Sequence, residues 1–120
     1  MEKLKVYISE LKQFSLKNPD WVILVEGKRD LKALEMFGIE NVVDMKGRKY
    51  HDIAEELSES YVGVVLLMDF DPEGETIFRK LTKVLELYGL KIDTSFRERL
   101  RELGVRFVEE IPLLLRLPRW

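Results

Sequence analysis

Residues 62–75 read VGVVLLMDFDPEGE. A seven-residue apolar run ends abruptly in four acids within seven positions: Asp69, Asp71, Glu73 and Glu75. An unbroken run of this kind is the pattern of a strand buried on both faces, as in a parallel sheet. A second short run, WVILV (21–25), has the same character and also ends in an acid, Glu26, followed by Gly27. Between and around the two runs lie stretches with helical spacing. Leu4, Tyr7, Ile8, Leu11 and Phe14 form one stripe, and the segment from Arg29 to Phe37 forms another helix. The segment from Tyr50 to Ser60 carries Ile53, Ala54 and Leu57 on one face. From Glu73 to Tyr88 the stripe is Ile77, Phe78, Leu81, Val84, Leu85 and Tyr88. A further helix is expected over Ser95–Leu103. Gly38 and Gly89 mark helix ends. Short apolar stretches at 41–44, 90–92 and 105–108 supply the remaining extended segments, and an apolar tail from Ile111 to Trp120 reads as a final helix covering the sheet. Strands alternate with helices throughout, which predicts an α/β fold: a mostly parallel sheet of about four to five strands with helices on both faces.

Composition sets the outer limits. With 120 residues, 46% of them hydrophobic, the chain is expected to form one domain with a real core. Net charge is −2 although charged residues make up 35%, so the chain is not a uniformly cationic binder. It has no cysteine and one histidine, His51, which excludes disulfide frameworks, zinc-finger spacing and histidine-rich metal sites. Neither a signal peptide nor a bilayer-spanning stretch is recognisable, so the expected setting is cytoplasmic, without a membrane partner. His51 reads as a surface or capping residue.

In a parallel α/β sheet, ligands bind beyond the carboxyl ends of the strands. Glu26 and the Asp69–Asp71 pair are both delivered there. Helix-starting chemistry accounts for Asp71 as an N-cap, Pro72 at the first helical position, and Glu73 near the helix N-terminus. It does not account for Asp69, for Gly74 inside the first turn, or for Glu26-Gly27. Clustered carboxylates suit a hard cation, and Mg²⁺ is held by one or two of them together with substrate phosphate. The loops after the first two strands, GKRD (27–30) and KGRK (46–49), place Lys28, Arg29, Lys46, Arg48 and Lys49 on the same edge. There they would guide a polyanion to the metal, or else form a solvated, salt-bridged face.

The segments VILVEGKRDLKAL and VVLLMDFDPEGETI resemble the two signature segments of the Toprim domain. This module is shared by bacterial-type primases, type IA and type II topoisomerases and several nucleases. Its pattern is a glutamate closing the first strand and Asp-x-Asp closing a later one, matched by Glu26 and by Asp69 and Asp71. Glu73-Gly74-Glu75 matches the extended form best known in type IA topoisomerases. The resemblance covers about residues 20–110 of a single domain over 1–120, and the chain is most similar to short stand-alone prokaryotic, archaeal-like Toprim proteins. One departure is Met68, where threonine commonly precedes the first aspartate. The resemblance implies a Rossmann-like Toprim fold with Mg²⁺ (or Mn²⁺) as cofactor. It implies Glu26 as general acid or base that also touches metal, Asp69 and Asp71 as metal ligands, and Glu73 as an outer ligand. Lys28, Arg29, Lys46, Arg48 and Lys49 are then the nucleic-acid contacts, DNA or RNA the partner, and other nucleic-acid-processing proteins further partners. The activity it implies is metal-dependent phosphodiester cleavage or nucleotidyl transfer. Two alternatives stay open at this point. One is a non-catalytic nucleic-acid-binding module within a larger complex. The other is a haloacid-dehalogenase-type phosphatase, against which stand the late position of the motif and Glu73 in place of the usual threonine or valine. A receiver domain is disfavoured because it needs an acidic pair after the first strand and a lysine after the last.

Overall fold

The computed structural model describes residues 2–116. Helix α1 (Glu2–Lys17) leads into β1 (Trp21–Val25), α2 (Lys28–Glu35) and β2 (Val42–Asp44). Then come α3 (Tyr50–Ser60), β3 (Gly63–Leu66), α4 (Pro72–Leu87), β4 (Lys91–Asp93) and α5 (Ser95–Glu102). A 3-10 turn (Val108–Glu110) and a short helix α6 (Ile111–Leu114) close the described chain.

The four strands form one sheet in the order β2-β1-β3-β4, and every pairing is parallel. The chain winds outward one way from β1 to β2, crosses over through α3, and then winds the other way from β3 to β4. The direction therefore reverses between β1 and β3. In such sheets the neighbouring loops splay apart at that point and leave a crevice.

Side chains alternate across the sheet as the two-residue strand period requires. Ile23, Val25, Val65 and Leu67 pack with Leu4, Tyr7, Ile8 and Leu11 of α1, Leu34 of α2, and Phe96 and Leu100 of α5. Val22, Leu24, Val64, Leu66 and Met68 pack on the other side with Ile53, Ala54 and Leu57 of α3 and Leu81 and Leu85 of α4. Both faces are covered, and this is why the two apolar runs do not alternate in sequence.

The expected helices and the two long strands are present with small boundary shifts. Gly38 and Gly89 end their helices with φ of 79° and 80°, a conformation that costs glycine nothing. The stretch 105–108 does not join the sheet as a fifth strand. Arg106 offers its carbonyl to the Phe70 amide at 3.0 Å, but the chain then turns into the 3-10 helix instead of continuing a ladder. Of the apolar tail, Ile111 and Pro112 are buried and Leu113 is 59% exposed, whereas Leu117 and Trp120 lie outside the described residues. His51 is exposed at the start of α3 and faces Tyr88 of α4, with Nδ1 3.2 Å from Oη. No helix among the described residues is long and apolar enough to cross a membrane.

Leu66 is fully buried in β3, between β1 and the helices α3 and α4. Leu66→Ala is expected to lower unfolding free energy by about 2–5 kcal/mol, read from urea denaturation. A loss under about 1 kcal/mol would mean that this layer is not a packed core.

Candidate metal centre at the strand switch point

Glu26 follows β1 directly, and Asp69 lies three residues beyond the end of β3. The two strands are neighbours, so both acids reach the crevice at the switch point. The chain after β3 stays extended, with the Leu67 amide bonded to the Leu24 carbonyl at 3.0 Å. Asp69 then turns its own amide to Oε1 of Glu26 at 3.2 Å. Its Oδ1 accepts a hydrogen bond from the Val108 amide at 2.9 Å.

A third acid completes the group. Asp30, in the first turn of α2, reaches back so that Oδ2 accepts the Gly27 amide at 3.2 Å. Glu26, Asp30 and Asp69 each offer an oxygen, and the three oxygens lie within 4.8 Å of one another. Asp30 and Asp69 are buried, and Glu26 is partly buried. Among the described residues no lysine or arginine forms an ion pair with any of the three. Three hard carboxylate oxygens, brought from the end of β1, the first turn of α2 and the chain beyond β3 and without a counter-cation among the described residues, are a donor set suited to Mg²⁺ or Mn²⁺.

The electrostatics carry the same message. Burial, then the neighbouring Asp69, pushes the Glu26 carboxyl up to about 7. Asp30 is pushed up to about 6, by burial first and then by Asp69. Asp69 is raised as well, chiefly by burial, against which the Val108 amide works. Glu109, in the 3-10 turn, adds to the negative potential at Asp30 and Asp69.

The other expected site residues fall into different places. Asp71 caps α4, its Oδ1 accepting the Gly74 amide at 2.8 Å. It stands beside the three-oxygen group, close enough to raise Glu26 and Asp69 electrostatically. Glu73 is exposed in the first turn of α4. Lys28 and Arg29 open α2 and are exposed. Arg29 lines a cleft of about 590 Å³ with Lys32, Glu109 and Glu110. Lys46 is exposed in a tight turn with φ of 52°, Arg48 pairs with Glu56 of α3, and Lys49 caps that helix exposed to solvent.

The two glycines that helix-starting chemistry left unexplained differ in their surroundings. Gly27 has extended φ and ψ of −141° and 177°, and a Cβ there would meet nothing within 4 Å, so no tight approach of the protein itself requires it. Gly74 is the crowded one. A Cβ at that position would sit 2.2 Å from the Asp69 carbonyl oxygen and 2.7 Å from Oε1 of Glu26. The helix therefore starts against the acids themselves, at a distance only glycine permits.

Sequence reading did not single out Asp30 or Arg97. Asp30 had a local signal, an acid three residues after the helix cap. Arg97 had none. It is 1% exposed, and its guanidinium lies 4.4 Å from the Phe70 ring centroid and 4.2 Å from that of Phe78.

A doubly wound parallel sheet with carboxylates gathered at its switch point defines a class of α/β proteins with an acidic, metal-suited edge. Within that class the Toprim domain family matches residues 20–95, and the chain belongs to it. A UPF0292 protein of Thermococcus sibiricus is 33% identical over 111 residues, covering 92% of this chain and 83% of the relative. A UPF0292 protein of Methanocaldococcus jannaschii is 33% identical over 115 residues, covering 92% and 88%. Among solved structures, a putative protein from Aquifex aeolicus superposes with a TM-score of 0.82 at 40% identity, covering 88% of this chain and 95% of that one. The zinc-binding and RNA polymerase domains of the Aquifex aeolicus primase superpose with a TM-score of 0.56 at 28% identity, covering 88% of this chain and 27% of that one. Membership in this family brings a nucleic-acid-related, metal-dependent role in its coarse form.

Two outcomes follow from the crowding and the charge. Gly74→Ala would gain about 1 kcal/mol in an exposed helix. Here the added carbon meets backbone, so it is expected to destabilise by about 1–3 kcal/mol in urea denaturation. A stabilised Gly74→Ala protein would contradict the close approach. The raised acids set a pH trend. Their protonated forms favour the folded state, so this contribution is full below their ordinary values near 4. It is lost as pH rises through about 6 for Asp30 and about 7 for Glu26. With chelator present, the urea midpoint is expected to fall between about pH 4.5 and 7, and Glu26→Gln with Asp30→Asn is expected to flatten that fall.

Proposed function

We propose that this chain carries out metal-dependent phosphodiester chemistry on nucleic acid, cleavage or nucleotidyl transfer, at the Glu26–Asp30–Asp69 centre. The observation that carries the reading is the convergence, within 4.8 Å, of three carboxylate oxygens from the end of β1, the first turn of α2 and the chain beyond β3, with no cation among the described residues paired to them. Buried like charges are tolerated together when a cation joins them.

Asp69 and Asp30 are the residues to hold a divalent cation, Mg²⁺ or Mn²⁺, with the second oxygen of Asp71 as a further ligand and Glu73 as an outer one. When bound, such a cation neutralises phosphate charge and activates the attacking oxygen. Glu26 has a separate task. Its Oε1 is occupied by the Asp69 amide, so Oε2 is the atom left to take or give a proton. A carboxyl raised to about 7 can do either near neutral pH. The extended backbone at Gly27 leaves room beside Glu26 for a substrate phosphate. Lys28 and Arg29, exposed at the start of α2, and Lys46 and Lys49, exposed in the loop before α3, supply cations for the polyanion. Arg48 can join them by releasing Glu56. The RNA polymerase domain in the name of the Aquifex aeolicus primase supports nucleic acid as the partner.

The deciding experiment is a panel of single- and double-stranded DNA and RNA, assayed for binding and cleavage with Mg²⁺, with Mn²⁺ and with chelator. Metal-dependent turnover is expected. Glu26→Gln keeps the shape but cannot exchange a proton. It should slow turnover by about two to four powers of ten while nucleic-acid binding stays near that of the parent. Asp69→Asn with Asp71→Asn should remove Mn²⁺ binding in calorimetry without unfolding the protein, because Asn keeps the acceptors that Val108 and Gly74 use. Full Mn²⁺ binding by that double variant would place the metal elsewhere. Absence of turnover across the whole panel, with tight binding retained, would make the domain a nucleic-acid-binding module. Replacing Lys28 and Arg29 by Ala should reduce the slope of log affinity against log salt by about 0.7–0.9 per lost phosphate contact.

A further inference from the structure

Asp69 is held at its amide, its carbonyl and one of its two carboxylate oxygens. Its amide is held by Glu26, its Oδ1 by the Val108 amide at 2.9 Å, and its carbonyl by Nη2 of Arg97 at 2.9 Å. The same guanidinium donates through Nε to the Met68 carbonyl at 2.9 Å and through Nη2 to Oε1 of Glu75 at 2.5 Å. The rings of Phe70 and Phe78 hold its plane. Glu75 is fixed in turn by Arg101, with Nη2 3.3 Å from the same oxygen.

We infer that Arg97, locked by Glu75, is a positioning residue that aims the Asp69 carboxylate at the metal centre. The assignment rests on the metal-site reading above and concerns a residue that touches neither metal nor substrate. Three considerations separate this role from general packing. Burying a charge between two aromatic rings is a poor route to stability, since apolar replacements of buried ion pairs are often neutral or better. The two carbonyls Arg97 takes are those of Met68 and of Asp69 itself, beyond the end of β3, where β4 no longer pairs with the chain. Finally, a guanidinium offers a planar fork that can bridge two successive carbonyls and a carboxylate, which an ammonium point charge cannot do. Three of the five donors are aimed along the one peptide segment that carries Asp69 and at Glu75 of the helix that Asp71 caps. The free Oδ2 of Asp69 is the oxygen whose direction this arrangement decides.

The test uses the full chain and two readouts, Mn²⁺ affinity by calorimetry and amide hydrogen exchange in the presence of chelator. Arg97→Lys keeps the charge and the stem but not the fork. It is expected to lower Mn²⁺ affinity about ten- to a hundredfold, the usual effect of losing a group that orients a ligand. In the metal-free protein the Val108 amide, bonded to Asp69 Oδ1, should exchange at least several-fold faster, with β1 amides at Val22–Val25 unchanged. Glu75→Gln removes the charge but keeps an acceptor oxygen for Arg97, and should show the same pattern at smaller size. Parent-like Val108 exchange in both variants overturns the inference. So does acceleration spread evenly over β1 and Val108, which is the sign of general destabilisation. If the parent binds no Mn²⁺, the metal reading fails, whereas the local exchange pattern still decides whether Arg97 holds Asp69.

Discussion

Three carboxylate oxygens within 4.8 Å of one another repel, and at an effective dielectric constant near 20 each fully ionised pair costs on the order of 3 kcal/mol. The rest of this edge is arranged to sustain that repulsion. Asp69 accepts the Val108 amide, Asp30 the Gly27 amide and Glu26 the Asp69 amide, so each acid is given a backbone donor. Among the described residues none is given a salt bridge. A lysine or arginine in the group would relieve the repulsion and close the site to a cation. The values at Glu26 and Asp30 are raised by burial first and by the neighbouring Asp69 second, and both costs are eased by holding protons.

The sheet provides what this arrangement needs in rigidity. β1 and β3 are the central strands, paired over four residues each and covered on both faces by separate apolar clusters. Their ends cannot drift apart without opening both cores. Helix α4 then approaches so closely that its third residue must be Gly74, against the Asp69 carbonyl. The same short segment, DFDPEGE, thus meets two demands at once. Asp69 faces the centre, whereas Asp71 and Pro72 start a helix whose N-terminal dipole lies beside the acids and favours their charged forms.

Charge in the segment is divided accordingly. Of its four acids, one belongs to the central group, one caps the helix at its border, and one is exposed to solvent. Glu75 faces the other way, onto Arg97 and Arg101, and its carboxyl is held below the ordinary range chiefly by the hydrogen bond from Arg97. The run that reads as a single acidic block is in space a boundary between a cation-suited crevice and an arginine-aromatic stack.

Much of this was legible in the sequence because it follows from local patterns. The unbroken apolar runs at 21–25 and 62–68, the helical stripes and the stop glycines determined the alternation of strands and helices, and hence a parallel sheet with both faces covered. The position of Glu26 and Asp69 after two such runs was enough to place them on one edge. What no local pattern contains is which strands become neighbours. Only the order β2-β1-β3-β4 brings Asp30 from the first turn of α2 to Asp69, residues 39 positions apart in the chain. In sequence Asp30 is one acid in a charged loop, and Arg97 is one of five charged residues in SFRERLRE. Burial singles them out, and burial depends on α5 and the 105–108 segment folding back over the end of β3. That same fold-back explains why VRFV, with the composition of a strand, is not one. Its amide at Val108 is taken by a carboxylate instead of a ladder, an exchange that tertiary packing decides and propensity does not.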